Sequence, residues 1–330
     1  MSASASSLRS PLADVIARYV SLKRALGRKF LDAERVLIDL DEFLADDTSG
    51  GELTAESFAL WCGRLQRLTP GVRRSRMYAV HNLCLYRHRD EPRCFVPDPA
   101  TFPRAHEPQL PYLFTERDIV RLLRAADGLR PTATSPLCPE LFRLAVVLLY
   151  TTGMRRGELT RLTLSGYDPA ERTLAIRATK FHKSRILPLS TDATEEVERY
   201  LRARCRLPHG PSAPLLCSRC RGLRPYTGAG LGQGLRRLFR RAGVMTPSGR
   251  PPRVHDIRHS FALAALLRWY RRGDDVQAKL PALATYMGHV SIVSTRHYLR
   301  HFEPLAGVAS DQFARHCDAW PMGSLTGGNR

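Results

Sequence analysis

Long apolar runs are missing from this 330-residue sequence: the longest, LAVVLLY and FALAALL, fall far short of the roughly 20 residues a membrane-spanning helix needs. The amino-terminal MSASASSLRS has no apolar core of signal-peptide length, so a cytoplasmic protein is expected. A phosphate loop of the form G-x-x-x-x-G-K-[ST] is also absent, which argues against ATP-driven chemistry. Cysteine pairs at zinc-finger spacing are lacking too. Cys217 and Cys220 make a lone C-x-x-C among eight irregularly spaced cysteines, a pattern of reduced thiols rather than of a disulfide scaffold. The visible carboxylate pairs, Asp46-Asp47 and Asp274-Asp275, sit in predicted turns and do not look like a two-metal site. Lysine is the scarcest charged residue, with only Lys23, Lys29, Lys180, Lys183 and Lys279 among 51 basic side chains.

Arginine supplies the rest. The formal charge is +20, a field that favours a polyanion, nucleic acid before anionic membrane. Arginine's planar fork suits bidentate phosphate contacts. A hydrophobic fraction of 43% with 25% charged residues is that of a globular protein able to bury a sizeable core.

From about Leu8 to Arg89 apolar residues recur at three- and four-residue intervals, as in Val36, Leu37, Leu40, Phe43 and Leu44, which predicts several short helices. Six prolines in EPRCFVPDPATFPRAHEPQLPYL then predict a linker over about 91–113, with a domain boundary near Ala105. Beyond it, Thr115 and Asp118 form a capping box ahead of a helical stripe, and LFRLAVVLLYT predicts a buried helix ending at Thr152-Gly153. RTLAIRA and SRILPL predict two antiparallel strands joined by TKFHK, and helical patterns return from Thr191. The expected fold is mainly α with a small antiparallel β-sheet (α+β), in two domains, 1–105 and 106–330.

Four clusters carry chemistry. In TTGMRRGEL a helix stops at glycine, and Arg155 and Glu158 follow at a spacing that lets the carboxylate hold the guanidinium. TKFHKSR places Lys180 and Lys183 at a hairpin tip, where a long cation can reach a ligand. VHDIRHSFALAALLRWY presents His255 and Arg258 together, three residues apart, opposite a predicted apolar stripe of Ile257, Phe261 and Ala264. YMGHVSIVSTRHYL ends the series with His289 and Tyr298. Taken singly, each cluster also fits an ordinary surface ion pair, a solvated loop or a packed tyrosine. Their joint order is far more specific.

That order, Arg, Lys, His-x-x-Arg, Gly-His, Tyr, resembles the tyrosine recombinase, or phage integrase, family over roughly Thr115 to Phe302, and HDIRHSFA looks especially like the family's box around its second arginine. Met154 and Met287 stand where leucine is usual, and TKFHK replaces the more frequent glycine-flanked lysine turn. The resemblance implies a helical core-binding-like amino-terminal domain followed by an integrase-type catalytic domain with a tail from about 303. It implies that Arg155 and Arg258 bind the scissile phosphate, that Tyr298 is the nucleophile, that Lys180 protonates the leaving oxygen, and that His255 and His289 assist. Lys180 stands at the family's first-lysine position, with Lys183 as the alternative.

A tyrosine nucleophile conserves the bond energy of the phosphodiester as a phosphotyrosine, and two arginines take the place of metal ions, so neither metal nor ATP is implied. The implied partner is double-stranded DNA bearing recombination sites, with assembly as a tetramer on paired sites, a monomer when free, and partner recombinases among the possibilities. A tail stripe of Leu305, Val308 and Phe313 is expected to dock on a neighbouring protomer. Arg236, Arg237, Arg240 and Arg241 in RRLFRR, Arg73, Arg74 and Arg76 in VRRSR, and Lys183 are the expected DNA-backbone contacts. Three other readings stay open: an inactive DNA-binding accessory protein of this fold, a type IB topoisomerase or resolvase, and a metal-dependent nuclease built on His255, Asp256 and His259.

Overall fold

The computed structural model describes residues 8–28, 30–46, 51–104, 110–177, 184–205, 210–218 and 224–288. It contains two compact units, Met1–Gln109 and Leu110–Arg330. The division falls four residues beyond the boundary read from the sequence. The residues named above as Lys180, Lys183, His289, Tyr298 and the tail from 303 lie outside the described residues, as does Cys220.

The amino-terminal unit is built from α1 (Ala13–Ala25), α2 (Leu31–Ala45), α3 (Ala55–Arg64) and α4 (Pro70–Arg87). Its core draws one side from each helix: Ile16 and Tyr19, then Leu37, Leu40 and Leu44, then Phe58 and Trp61, then Val80 and Leu83. Thr54 starts α3 through a reciprocal hydrogen-bond pair with Ser57, which satisfies two backbone groups at the helix start. The proline-rich stretch is not a linker throughout. Phe102 is buried in the amino-terminal core and Phe95 and Val96 pack against it, because the prolines there hold an extended chain whose apolar side chains find a surface to cover.

The second unit opens with α5 (Glu116–Asp127), where Thr115 and Asp118 form the capping box expected from the sequence. Next, α6 (Cys138–Thr152) is buried on almost every side, with Leu141, Leu144, Ala145, Val146 and Leu148 wholly covered, and it packs against α5 and against two later helices, Thr191–Arg204 and Val254–Arg272. It ends where Gly153 takes a left-handed conformation, φ +60°. One turn, α7 (Arg156–Leu159), follows at once.

β1 (Tyr167–Asp168), β2 (Thr173–Ile176) and β3 (Arg185–Pro188) form an antiparallel sheet in that order, with Leu174 opposite Leu187. The sequence pattern predicted β2 and β3. The two-residue strand β1, and the short pair β4 (Cys217–Ser218) and β5 (Arg224–Pro225), are too brief to carry an alternating pattern. They flank or follow α8 (Thr191–Arg204). Then come α9 (Gly228–Arg241), α10 (Val254–Arg272) and α11 (Val276–Met287). No helix among the described residues is long and apolar enough to cross a membrane.

One correction concerns α10. Ala264 is exposed rather than part of the apolar stripe, and Arg258, expected opposite that stripe, is buried. The helix is covered on two sides: Val254 and Ile257 join the main core of this unit, while Ala262, Leu263 and Leu266 pack with α11 residues Leu280, Leu283 and Met287. A two-sided burial defeats a single-stripe reading.

Candidate active site

Two helix ends, one helix start and one strand converge on a group of arginines. The break after α6 leaves Met154 buried and Arg155 as the residue preceding α7. Glu158, three residues on, accepts the Arg155 backbone N–H through Oε2 (2.9 Å) and the Arg155 guanidinium Nη1 through Oε1 (2.9 Å). The sequence-level expectation that Glu158 lies beside Arg155 is met by these contacts. A second guanidinium completes the carboxylate's shell, since Arg185 of β3 donates to Oε2 at 2.8 Å and to Oε1 at 3.2 Å.

The Glu158 side chain is only 1% exposed. Burial alone would raise its pKa, but hydrogen bonds from Arg185, the Arg155 backbone and the Arg155 side chain overcome that cost and hold it at about 2. Because the folded pKa lies below the ordinary 4.5, the stabilisation is complete above that value and is lost as pH falls through about 2. The shift corresponds to on the order of 3 kcal/mol. Acid unfolding followed by circular dichroism should therefore show wild-type protein losing more stability between pH 4.5 and about 2 than Glu158→Gln does, and equal losses would mean that Glu158 is not the titrating group.

Arg258 reaches the same place from α10. Its Nη1 donates to the carbonyl of Gly153 and its Nη2 to the carbonyl of Met287, each at 2.6 Å. Arg155 Nη2 donates to the next carbonyl, Gly288, at 2.9 Å, and Arg185 Nε to the one before, Tyr286, at 2.8 Å. The last carbonyls of a helix have no partners within it and carry its negative dipole end, so three guanidinium groups are well matched to the end of α11. His289 follows directly in the sequence.

Gly153 matters beyond its carbonyl. Its φ of +60° is a conformation costly for residues with a Cβ, and a Cβ there would collide with the Phe261 ring. Gly153→Ala should lower stability by about 1–3 kcal/mol and displace the carbonyl that receives Arg258. Chemical denaturation measures the first effect, and unchanged stability would contradict this packing.

His255 lies one turn before Arg258 on α10, its ring 4.8 Å from that of His259 and nearly perpendicular to it. The ring keeps an exposed edge. Even so, the protein packed around it, then the Arg258 charge, with smaller contributions from Arg155 and Arg253, lower its pKa below 6.5 against the opposing pull of Asp256. A neutral imidazole able to accept a proton is the result. Asp256 is not available beside it as a metal ligand: it is buried, and Arg253 holds it through its backbone N–H at 2.9 Å and its Nε at 3.0 Å. Among the described residues no group of three or more His, Cys, Asp or Glu side chains is arranged to hold a metal ion.

The expected DNA-backbone arginines differ in their surroundings. Arg236, Arg237, Arg240 and Arg241 are all exposed on α9, opposite buried Leu235, Leu238 and Phe239, although Arg241 also donates to the Gly128 carbonyl at 2.9 Å. Arg73, Arg74 and Arg76 on α4 are half-buried. Arg74 is committed within its own unit, donating to the Pro103 carbonyl at 2.7 Å and to the Tyr78 hydroxyl at 3.1 Å. Arg185 escaped the sequence reading, where it looked like an ordinary strand residue; its place two residues after Lys183 was the available signal.

This mainly helical unit, with arginines gathered at helix ends beside a small sheet, has the fold of integrase-type proteins. It resembles the Tn1549 transposon integrase solved with transposon right end DNA (TM-score 0.62, 19% identity, covering 92% of this chain and 99% of that one) and a λ integrase fragment solved as a dimer on a core site (TM-score 0.58, 18% identity, 86% and 94%). In sequence, it is 33% identical over 294 residues to the integrase/recombinase-type protein y4rB of Sinorhizobium fredii, covering 88% of this chain and 93% of that protein. The tyrosine recombinase XerA of Pyrococcus furiosus is 29% identical over 196 residues, 58% of each chain. The model of the phage integrase family matches residues 113–303, and the chain belongs to that family.

Proposed function

We propose that the protein is a site-specific DNA recombinase that cleaves and rejoins strands through a covalent 3′-phosphotyrosine at Tyr298, acting in integration, excision or transposition. The observation that carries this reading is the meeting of Arg155 and Arg258, far apart in sequence, on the consecutive carbonyls of Gly288 and Met287, one step before His289. A guanidinium carries five N–H donors, so an arginine that meets a main-chain carbonyl can also meet a phosphate.

In this mechanism Tyr298 Oη attacks the scissile phosphorus, the P–O5′ bond breaks, and the 3′ phosphate stays on the protein. Arg155 and Arg258 stabilise the charge that builds on the non-bridging oxygens, and His289 adds a hydrogen bond. Neutral His255 accepts the tyrosine proton, and Lys180 protonates the departing 5′ oxygen. A later 5′ hydroxyl reverses the sequence on a new partner strand. The DNA complexes of the solved relatives and the exposed arginines of α9 support duplex DNA as the ligand, bound in a salt-sensitive way. Assembly as a tetramer on paired sites, with Lys183 among the backbone contacts, belongs to the same proposal.

The test uses a nicked duplex carrying the half-site that the protein selects from a randomised library. In excess chelator, a protein–DNA adduct that survives denaturant should form and release a strand with a free 5′ hydroxyl. Cleavage that needs magnesium, or leaves a 5′ phosphate, would contradict the proposal.

A further inference from the structure

Arg185 is the first residue of β3, and only Ser184 separates it from the 178–183 segment that contains Lys180 and Lys183. Its side chain is only 11% exposed. Its guanidinium is held by directed hydrogen bonds: Nη1 and Nη2 donate to the two oxygens of Glu158, and Nε donates to the Tyr286 carbonyl. Gly288 lies against the same group so closely that a Cβ there would sit 2.6 Å from Nη1 and 3.0 Å from Cζ. Glu158 in turn holds both the backbone and the guanidinium of Arg155. One buried ion pair therefore joins three segments: the start of α7 with Arg155, the strand β3 that follows the two lysines in the sequence, and the end of α11, after which comes His289.

An ion pair that only contributed stability would need neither the fork geometry nor the helix-end carbonyl, and buried pairs are often no more stabilising than apolar substitutes. We infer that Arg185 is a positioning residue for DNA cleavage: through Glu158 it orients the Arg155 guanidinium, and through Tyr286 and Gly288 it sets where the chain enters His289. This role rests on the recombinase reading above. With its side chain nearly covered, Arg185 acts in this role through these contacts rather than by meeting DNA itself. A lysine would keep the charge near Glu158, but its single ammonium cannot meet both carboxylate oxygens and the Tyr286 carbonyl in one plane.

Full-length wild type, Arg185→Lys and Gly288→Ala would be compared on the selected nicked half-site, well below each melting transition. Two quantities are read, the affinity for the half-site and the rate of adduct formation at saturating DNA. Arg185→Lys should bind within about threefold of wild type yet form adduct roughly 10–100-fold more slowly, because a small misplacement of a phosphate-binding group acts on the rate. Gly288→Ala, which pushes on the same guanidinium from the other side, should show the same split. The double variant should be slowed little more than either single one, since both remove the same contact. If Arg185→Lys fails to fold, Gly288→Ala decides by its own split between rate and affinity.

Wild-type rates in the folded variants, equal losses of affinity and rate, or rate losses that multiply in the double variant would each overturn the positioning role while leaving the recombinase reading intact. A wild-type protein that forms no adduct would overturn both.

Discussion

Tyr298→Phe is expected to bind the selected half-site with the affinity of wild type and to yield no covalent adduct, a loss of roughly 10⁴-fold or more. The substitution removes a single hydroxyl and keeps the ring. Phosphate, arginines and general acid all remain in place, and only the atom that forms the new bond is gone. A gel-shift titration alongside a denaturing gel measures both quantities in one preparation. Residual adduct at the wild-type level would assign the nucleophile elsewhere.

Arg258→Ala should be the next most damaging change, slowing cleavage by about 10²–10³-fold through lost stabilisation of the transition state. It also has a structural cost. Arg258 is 2% exposed and joins the end of α6 to the end of α11, so alanine leaves a cavity and frees the carbonyls of Gly153 and Met287. A loss of roughly 2–4 kcal/mol of stability is expected from those two effects. Arg258→Lys separates the roles, because it fills much of the space and keeps the charge while losing the fork. Its rate should still fall by at least tenfold at a temperature where the protein is fully folded. Cleavage at the wild-type rate in a folded Arg258→Lys would mean that the guanidinium acts only as a tie between helices.

Much of this architecture was legible in the sequence for local reasons. The capping box at Thr115, the stop of α6 at Gly153 and the pairing of Arg155 with Glu158 each depend on residues within a few positions of one another. Strands β2 and β3 were long enough to show alternation. What was not legible depends on distance along the chain. Nothing in the pattern of α10 reports that a second helix, α11, covers its other side, and so Ala264 was placed in the apolar stripe and the burial of Arg258 could not be seen. Likewise, the contacts of Arg155 with Gly288 and of Arg185 with Tyr286 span more than a hundred residues, and no helical or strand period encodes them. Arg74 shows what a basic cluster leaves unsaid: one of its members is already held by a main-chain carbonyl and a tyrosine of its own unit. Composition counts charges without saying which are already engaged.

The chemistry assigned to this chain comes down to which atom becomes bonded to DNA. Wild-type protein would be trapped on the nicked half-site in excess chelator, digested with protease and nuclease, and the nucleotide-bearing peptide sequenced by mass spectrometry. The account predicts a single modified peptide, with a 3′-phosphonucleotide on the oxygen of Tyr298. A nucleotide on any other residue, or a reaction that gives no modified peptide unless a divalent metal is restored, would contradict it.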